Sequence, residues 1–362
     1  MVEIATFSSF SQGFPAAWQQ FVEATAATFD QTLPWYVEFE RRLLEPAQRL
    51  QIVAAAAADG TPLALLPLRT DRVPLAGPIA ASGVTALSNY YTALYAPLAL
   101  PGRDQELAHA LVQGIIDLSA DTSVIDLNPL AGDAALTDAV AADLRQRGYS
   151  IERYFRFGNW YLEVGERSSS EYFKTLPGQV RSTLERKGKK LRARPDVRIR
   201  VVTDAAEVDA AMDAYEAVYR SSWKTDEPHK DFIRAIVKEF AQRNWLRLGV
   251  TEIGSVPAAA QIWFVYRGTA SIFKLAYDAQ FTNLSVGSAM TMTLMQHVID
   301  ADKVAVVDYL CGDDPYKRDW MSARRERIGL RAVRRASWPG AVTALKSVAR
   351  RIRGPRPNTS QS

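Results

Sequence analysis

The chain has 362 residues, of which 48% are hydrophobic and 23% charged, with a formal net charge of +4. These values are typical of a globular protein of about two domains, and they exclude a disordered chain. No apolar run approaches the ~20 residues that cross a bilayer, and the N-terminus lacks a signal-peptide pattern. With one Cys and three His, neither an internal disulfide nor a dedicated zinc site is expected, so we predict a cytoplasmic protein without a metal.

The first half of the sequence alternates helices and strands. Residues 14–45 predict two helices separated by a turn at 29–33. Asp59 and Gly60 predict a hairpin turn, because this dipeptide is a strong turn signal between apolar segments. The predicted elements are the hairpin at 51–69, strands at 90–98, 123–127 and 153–164, and helices at 107–118 and 134–147, the last ended by Gly148.

A strongly basic segment follows, since residues 174–200 hold ten Lys or Arg against Glu185 and Asp196. It predicts a helix, an interruption at Gly188, and then more basic helix. A solvated charged helix and a phosphate-binding surface both fit this pattern, although few aromatics and no DNA-binding motif argue against nucleic acid. Two more helices are predicted at 206–223 and 229–242, with Trp223 and Lys224 at their junction, where a side chain can face a cleft.

The segment 271–320 concentrates several chemical signals. It predicts a strand at 271–278, a loop that opens a helix reaching about residue 301, and an apolar strand at 304–310. The loop residues are Ser285, Val286, Gly287 and Ser288. Small residues at a helix N-terminus offer backbone N–H groups to an anion, so this is a candidate phosphate site, although Ser and Gly are also ordinary helix-cap residues.

Two pairs of identical residues share the same sequence separation: Tyr277 lies 182 residues after Tyr95, and Asp308 lies 182 residues after Asp126. A second hairpin, at 246–266, matches the first. We interpret this order as two related α+β halves rather than a short-period repeat. The same spacing aligns 285–288 with the acidic, glycine-free segment 103–106. We therefore expect the second half to bind the charged ligand and the first half to form one wall of a cleft.

The motifs of this segment resemble a known family. An aromatic strand ends in Ala276, Tyr277 and Asp278, and the Ser-x-Gly loop opens a helix. A Val-Asp-(Tyr/Phe)-Leu-x-Gly-Asp-x-x-Tyr-Lys-x-x-Trp pattern, whose first Asp is Asp308, then ends at Trp320. This resembles the CelD-like (cellulose-biosynthesis-type) acetyltransferases, a branch of the GNAT acyltransferases related in architecture to the FemABX aminoacyltransferases. The resemblance covers about residues 150–330 well and the first half by architecture. Val286 departs from it, since many relatives have Pro there.

The resemblance implies an α+β fold of two tandem GNAT-like halves, each a mixed, mainly antiparallel sheet flanked by helices. The expected domains are a degenerate half at 1–165, a donor-binding half at 166–335 and a basic tail at 336–362. The implied reaction moves an acyl group from acyl-coenzyme A, such as acetyl-coenzyme A, to an amine acceptor. An amino sugar of cell-surface polysaccharide biosynthesis is one such acceptor, and a glycan or lipid-linked amine another.

The same resemblance suggests roles for individual residues. The backbone of Ser285, Val286, Gly287 and Ser288 would hold the donor's pyrophosphate, assisted by basic residues of 181–194. Base candidates are Asp308 and Asp278, acid candidates are Tyr277 and Tyr316, and acceptor-binding candidates are Trp223, Lys274, Asp313 and Lys317. A structural role for Asp308 stays open because Asp126 matches it. Cys311 fits a small residue that ends a buried strand better than a nucleophile.

Three alternatives remain open from the sequence. Aminoacyl transfer from charged tRNA would use the basic segment, and a non-catalytic scaffold in polysaccharide export would need no donor. The third concerns the role of the tail. In the predicted helix 338–353, Val342, Leu345 and Ala349 lie near one face and the basic residues lie elsewhere. It can lie on an anionic membrane, dock on its own domain or fray.

Overall fold

The structure is a computed structural model that describes residues 2–118, 122–224 and 226–353. In chain order, the strands are β1 (Val2–Phe7), β2 (Leu50–Ala57), β3 (Pro62–Ala76), β4 (Ile79–Ala86), β5 (Leu98–Ala99), β6 (Val124–Ala131), β7 (Tyr149–Glu163), β8 (Val197–Val202), β9 (Leu246–Ile253), β10 (Val256–Tyr266), β11 (Thr269–Tyr277), β12 (Val306–Asp308) and β13 (Ala323–Arg334). The helices are α1 (Ala16–Thr25), α2 (Leu33–Arg42), α3 (Asp104–Asp117), α4 (Ala135–Gln146), α5 (Ser169–Thr175), α6 (Gly178–Thr183), α7 (Lys189–Arg192), α8 (Val208–Arg220), α9 (Lys230–Gln242), α10 (Val286–Gln296), α11 (Pro315–Arg318) and α12 (Trp338–Arg353).

The chain divides into two compact units that are not continuous in sequence. The first unit takes the chain up to Ala26, Leu44–Arg156 and the chain from Glu326 onward, and the second takes Ala27–Leu43 and Phe157–Arg325. These limits differ from the boundaries expected at 165 and 335, because a short N-terminal segment belongs to the second unit and the last strand to the first. Both assignments follow from packing described below.

The first unit is built on a sheet in the order β1-β2-β3-β4-β6-β13, with β5 added beside β3. Neighbouring strands are antiparallel except β4 and β6, which run parallel. Helices α3 and α4 bury their apolar stripes against this sheet, and Leu111, Ile115 and Leu144 are buried in the shared core. Pairing of β6 with β13 is the reason that residues after Glu326 belong to this unit.

The second unit repeats this plan with the strand order β7-β12-β11-β10-β9-β8. The pairs are antiparallel except β11 and β12, which run parallel. Helix α10 lies close on the sheet because Gly249 of β9 has no side chain; a Cβ there would meet the Met290 sulfur at 2.2 Å. The fold class predicted from sequence, tandem mixed sheets flanked by helices, is confirmed.

Helix α2 belongs to the second unit through an aromatic cluster. The Trp35 ring meets the Phe232 ring edge-on, with centroids 5.0 Å apart, and Phe29 lies 5.1 Å from Phe264. Edge-to-face aromatic pairs of this kind contribute about 0.5–1.5 kcal/mol each beyond the area they bury. The cluster is therefore the reason that the segment Ala27–Leu43 belongs to the second unit.

Both predicted hairpins are confirmed, at β2–β3 and β9–β10, with Gly60 and Gly254 in the left-handed turn conformation. The strand predicted at 90–98 is wrong, since only Leu98 and Ala99 are extended in β5. The Asn89 side chain accepts a hydrogen bond from the Tyr91 backbone N–H at 2.9 Å, and this local turn replaces ladder pairing there.

The basic segment is also less regular than predicted. It breaks into α5, α6, a π-helical turn at Leu184–Gly188, and α7. Ser168 is the N-cap of α5 and forms a capping box with Glu171. The segment thus consists of short helices that present most of their Lys and Arg side chains to solvent.

The two units repeat the same strand topology, but only one of the two residue pairs used to detect the repeat in the sequence occupies equivalent positions. Asp126 on β6 and Asp308 on β12 occupy equivalent strands, and the N-caps of α3 and α10, Arg103 and Ser285, are 182 residues apart. Tyr277, however, ends β11, whereas Tyr95 lies in the loop between β4 and β5. The shared spacing of the two tyrosines is therefore not a structural equivalence.

Among the described helices, none combines the length and apolarity that a membrane span requires. Helix α12 packs on the first unit: Val342 joins a small cluster with Val73 and Leu75, and the Lys346 ammonium donates to the Leu75 carbonyl at 2.9 Å. Trp338 and Leu345 stay exposed. Docking on its own domain, one of the alternatives left open for the tail, is therefore what the described part does, and the side chain of Ala349 lies outside the described residues.

Candidate active site

Strands β11 and β12 separate within the second unit. They pair only where Thr269–Ser271 face Val306–Asp308, after which β12 ends while β11 continues to Tyr277. The edge of β11 beyond Ser271 is thus released from its parallel neighbour. Backbone groups on such an edge are available to an extended ligand or to side chains.

Helix α10 begins beside the end of this open edge. A 3₁₀ turn at Ala279–Leu284 leads to Ser285, whose left-handed φ of 54° turns the chain into the helix. The first turn of α10 contains no acidic residue and receives no side-chain cap from Ser285. Its first backbone N–H groups have no intrahelical acceptor and, with the helix dipole, favour an anion.

Gly287 lies tightly under the Tyr277 ring. A Cβ at this position would come within 3.0 Å of that ring, closer than ordinary van der Waals contact. The Gly287 carbonyl is held from the other side, since the Gln261 amide and the Thr291 hydroxyl each donate to it at 3.1 Å. The helix start is therefore packed between the sheet and a tyrosine ring, and a larger residue would have to displace that ring.

Tyr277 and Trp223 form an aromatic wall beside Gly287. Their ring centroids are 4.5 Å apart, and 57% of Trp223 is exposed. An exposed tryptophan of this kind offers a flat apolar face for a ligand. The structure thus brings together three residues predicted for the site, Trp223, Tyr277 and Gly287.

Lys274 and Lys224 lie on the same side. The Lys274 ammonium pairs with the buried Glu227 carboxylate at 2.6 Å, and burial lowers the pKa of Lys274. The Lys224 ammonium donates to the Leu275 carbonyl at 2.6 Å, on the open stretch of β11. Burial, followed by the charge of Lys274, lowers the pKa of Lys224 to about 8. Sequence reasoning noted Lys224 at a helix junction but did not select it.

Asp308 is a buried acceptor of three hydrogen bonds. The Asn159 amide donates at 2.6 Å and the Leu310 backbone N–H at 2.7 Å to one carboxylate oxygen, and the Arg325 guanidinium donates at 2.5 Å to the other. The Arg325 guanidinium also lies over the Tyr161 ring, 4.6 Å from its centroid. Asn159 and Arg325 were not predicted, because they lie 149 and 17 residues from Asp308 in sequence.

The equivalent Asp126 in the first unit has the same kind of environment. The Arg331 guanidinium donates to one carboxylate oxygen, and the Tyr154 hydroxyl and the Asn128 amide donate to the other, at 2.5 Å and 3.0 Å. Burial and the Asp126 charge raise the pKa of Tyr154. Both units thus hold a buried aspartate at the centre of an arginine-containing network.

Asp278 has a local role that the structure describes directly. One carboxylate oxygen accepts from the Gln280 backbone N–H and the other from the Gln280 side-chain amide, both at 2.9 Å. It therefore caps the 3₁₀ turn that leads into α10. Its partners are neutral, unlike those of Asp308.

The segment after β12 buries Lys317, one of the predicted acceptor-binding residues. Lys317 is 5% exposed; its ammonium donates to the Cys311 carbonyl, pairs with Asp314 at 3.2 Å and lies over the Tyr309 ring. Groups of the protein itself thus contact this ammonium. The backbone turns sharply at Gly312, where φ is 104° and a Cβ would come within 3.0 Å of the Lys317 ammonium.

The other two predicted residues of this segment face different partners. Asp313 pairs with Arg324 at 2.6 Å and accepts from the Trp160 indole at 2.7 Å, and the Arg324 hydrogen bond lowers its pKa. Tyr316 remains 45% exposed, while partial burial and the charge of Asp314 raise its pKa to about 12. Asp313 is thus engaged in a surface network, whereas Tyr316 is a protonated phenol that solvent can reach.

Comparison with known proteins agrees with this geometry. Residues 178–318 match the family of the acetyltransferase (GNAT) domain. The second unit contains a GNAT acetyltransferase domain. The match spans α6 to α11, and so includes the open edge of β11, the start of α10 and the lysines described above. A search of curated proteins finds no significant match to the chain.

Solved structures of similar fold cover nearly the whole GNAT-containing chain. The crystal structure of FemX has a TM-score of 0.59 at 10% identity and covers 91% of this chain and 96% of its own. L-PGS from Bacillus licheniformis has a TM-score of 0.54 at 9% identity and covers 94% of this chain and 98% of its own. A tandem GNAT protein from the clavulanic acid biosynthesis pathway has a TM-score of 0.50 at 12% identity and covers 91% of this chain and 98% of its own. At these identities the likeness shows the fold, a tandem GNAT arrangement.

Proposed function

We propose that the protein is an N-acyltransferase that moves an acyl group from acyl-coenzyme A to an amine acceptor. The observation that carries this proposal is the acid-free N-terminus of α10, set beside the open edge of β11 and kept narrow by Gly287 against Tyr277. The N-terminus of α10 suits a pyrophosphate, and the open edge of β11 suits an extended, amide-containing arm. Acyl-coenzyme A has both, and it would bring the acyl group as a thioester.

The chain's own residues would divide the work as follows. The backbone N–H groups of Val286, Gly287 and Ser288 bind the pyrophosphate, with the exposed basic side chains of 181–194 as auxiliary partners. Ser285, also predicted for this role, donates its N–H to the Thr282 carbonyl at 3.1 Å. Trp223 and Tyr277 provide an apolar wall that excludes water from one side. Beside this wall the amine and the thioester would be held close together, and this proximity accelerates their reaction.

Proton transfer needs an acceptor for the amine proton and a donor for the leaving thiolate. Asp278 suits the first role better than Asp308, because its oxygens bind only neutral Gln280 groups, whereas Asp308 is neutralised by Arg325. Tyr316 suits the second role, because a pKa of about 12 keeps its hydroxyl protonated near neutral pH. Tyr277, at the end of β11, is an alternative donor.

A thermal-shift titration tests the donor. Acetyl-coenzyme A and longer acyl-coenzymes A should raise the melting temperature, since a ligand of the folded state stabilises by mass action. Free phosphate and adenosine at equal ionic strength are the controls. If no thioester shifts the transition, the proposal fails.

The competing donor is an aminoacyl-tRNA, which the likeness to FemX and the basic short helices α5–α7 bring into consideration. Salt-sensitive binding of charged tRNA without any response to acyl-coenzyme A would favour it. Indifference to both donors would favour a scaffold. We favour acyl-coenzyme A because the matched family is an acetyltransferase domain.

For the acceptor we propose a CelD-like role in cell-surface polysaccharide biosynthesis, with an amino sugar as substrate, in the cytoplasm or at its membrane. The motif from Asp308 to Trp320 supports this through the resemblance stated above. Exposed Trp338 and Leu345, seven residues apart on α12, favour peripheral contact with an anionic membrane. Changing both to Ser should weaken binding to anionic liposomes and leave the melting temperature unchanged; unchanged liposome binding rules out this contact.

A further inference from the structure

The second unit brings three lysines near one another beside the open stretch of β11. Lys224 follows α8, Lys274 lies on β11 and Lys317 on α11, so three separate elements contribute them. Their charges act on one another, since both Lys274 and Lys317 lower the pKa of Lys224. We call Lys224, Lys274 and Lys317 the lysine cluster.

The charges of this cluster do not balance. Glu227 is buried beside Lys274, and Asp314, with 56% of its side chain exposed, pairs with Lys317. Among the residues that the structure describes, no carboxylate forms an ion pair with Lys224; its ammonium is held by the Leu275 carbonyl, and Glu227 and Asp314 act on it only as neighbouring charges. A partly buried ammonium with no carboxylate in contact is costly to keep charged.

The cluster also lies in the right place for a ligand. Lys224 holds the open stretch of β11 two residues before Tyr277, and its ammonium is 5.8 Å from the centroid of the exposed Trp223 ring. Tyr277 in turn touches Gly287 at the start of α10. An anionic group among the lysines would therefore be next to the space that we assign to the thioester.

We propose that the lysine cluster binds an anionic group, a carboxylate or a phosphate, carried by the amine acceptor. This inference rests on the proposed function and narrows its substrate class to acidic amines. An incoming anion would place a negative charge in direct contact with Lys224, and an opposite charge within a few ångströms favours the ammonium form. The neutral part of the acceptor would lie against Trp223.

The charged and titratable groups around Lys224 define what a ligand must offset. Lys274 faces it from β11, Lys317 and Asp314 from the α11 region, and Glu227 from the loop after α8. Tyr219 of α8 places its ring 5.7 Å from the Lys224 ammonium. Since burial and the neighbouring lysines outweigh the two carboxylates, the pKa of Lys224 is about 8, and a bound anion would raise it.

Selective amine labelling of the full wild-type chain tests the site without knowledge of the acceptor. The protein is treated with a trace of acetic anhydride across a pH series, and each lysine is quantified by peptide mass spectrometry. Inorganic phosphate, acetate and chloride are compared at equal ionic strength. Lys230 is the internal control, because it is an exposed lysine paired with Asp226.

Phosphate or acetate should slow labelling of Lys224 about tenfold at a concentration about ten times its Kd, and move the labelling profile of Lys224 to higher pH. Lys230 should respond equally to all three salts. Protection by phosphate alone identifies a phosphorylated acceptor, and protection by acetate as well a carboxylate. Lys317→Met should reduce the protection.

Two results would overturn the proposal: equal labelling of Lys224 in all three salts, or protection by coenzyme A but by neither small anion, which would assign the lysines to the donor. Donor binding is measured separately, by calorimetry with acetyl-coenzyme A. A chain that binds the thioester but shows no protected lysine thus refutes the anion site and leaves the acyltransferase proposal standing. A chain that does neither refutes both.

Discussion

The two units share one plan but differ at the helix that begins 182 residues apart in each. In the first unit, α3 starts with Asp104 and Glu106, and Arg103 forms an ion pair with Glu106. In the second, α10 starts without an acid and with Gly287 under a tyrosine ring. A negative first turn stabilises α3 through the helix dipole but repels an anion, whereas α10 leaves its dipole available. The same element thus serves folding in one unit and is free for binding in the other.

The largest effect is expected from a substitution that blocks the start of α10. Gly287→Arg would push a long side chain against Tyr277, so we expect the Kd for acetyl-coenzyme A to rise at least about a hundredfold, or about 2.7 kcal/mol. Gln105→Arg, at the matching position of α3, is the control and should leave the Kd unchanged. Calorimetry measures both. Equal losses in the two variants would mean that the donor does not bind at α10.

A second comparison concerns the buried aspartates that the units have in common. Asp308→Ala and Asp126→Ala each leave an arginine without its carboxylate, so each should lower the free energy of unfolding by about 3 kcal/mol. Urea denaturation gives both values.

Asparagine variants of the same two residues decide the role of Asp308. Asp308→Asn keeps the shape of the side chain, and Asp126→Asn is its matched control. If Asp308 is the catalytic base, Asp308→Asn loses turnover while its stability resembles that of Asp126→Asn. If it is structural, turnover in Asp308→Asn falls only in proportion to the folded fraction.

The aromatic wall allows a smaller test. Trp223→Ala should raise the Kd for acetyl-coenzyme A about three- to tenfold, because the Trp223 ring supports Tyr277 and contributes about 0.5–1.5 kcal/mol of ring contact. Phe155→Ala in the first unit is the matched control, since Phe155 is 55% exposed and Trp223 57%. A Trp223 variant that binds like the wild type would remove this wall from the donor site.

A further effect is on stability as a function of pH. The pKa of Lys224 falls from its ordinary 10.5 to about 8 in the folded chain, so between these values the unfolded chain binds more protons. Unfolding free energy therefore gains a contribution that rises with pH across this window. Lys224→Met should make the rise shallower, and Lys230→Met should not. Denaturation curves at several pH values between 8 and 10.5 provide the comparison.

Local signals in the sequence predicted most of the elements. The Asp59-Gly60 turn and the small-residue start of α10 are decided by a few adjacent residues, so the hairpin and the helix start were predictable. The strand predicted at 90–98 failed because an Asn89 side chain competes for the backbone. Apolar alternation does not reveal such a competitor.

The site was predicted less completely, for a physical reason. Gly287, Tyr277 and Trp223 are near one another and two of them belong to recognisable motifs. The partners of Asp308 come from β7 and β13, distant in sequence, and depend on strand pairing that no local pattern reports. Lys224 carries no motif of its own; only its position on the open edge of β11 shows what it is near. Residue type and order predict elements, while long-range pairing decides which charges meet.

The discontinuity of the units has a consequence for synthesis on the ribosome. Strand β6 pairs fully with β13 only after residue 333 has been made, although the other strands of the first unit's sheet are complete by Ala131. Helix α2 must likewise wait for Phe232 and Phe273 before its tryptophan is covered. The unit encoded first is therefore the last to close, and a chain released before residue 333 would leave the edge of β6 without the strand that belongs there.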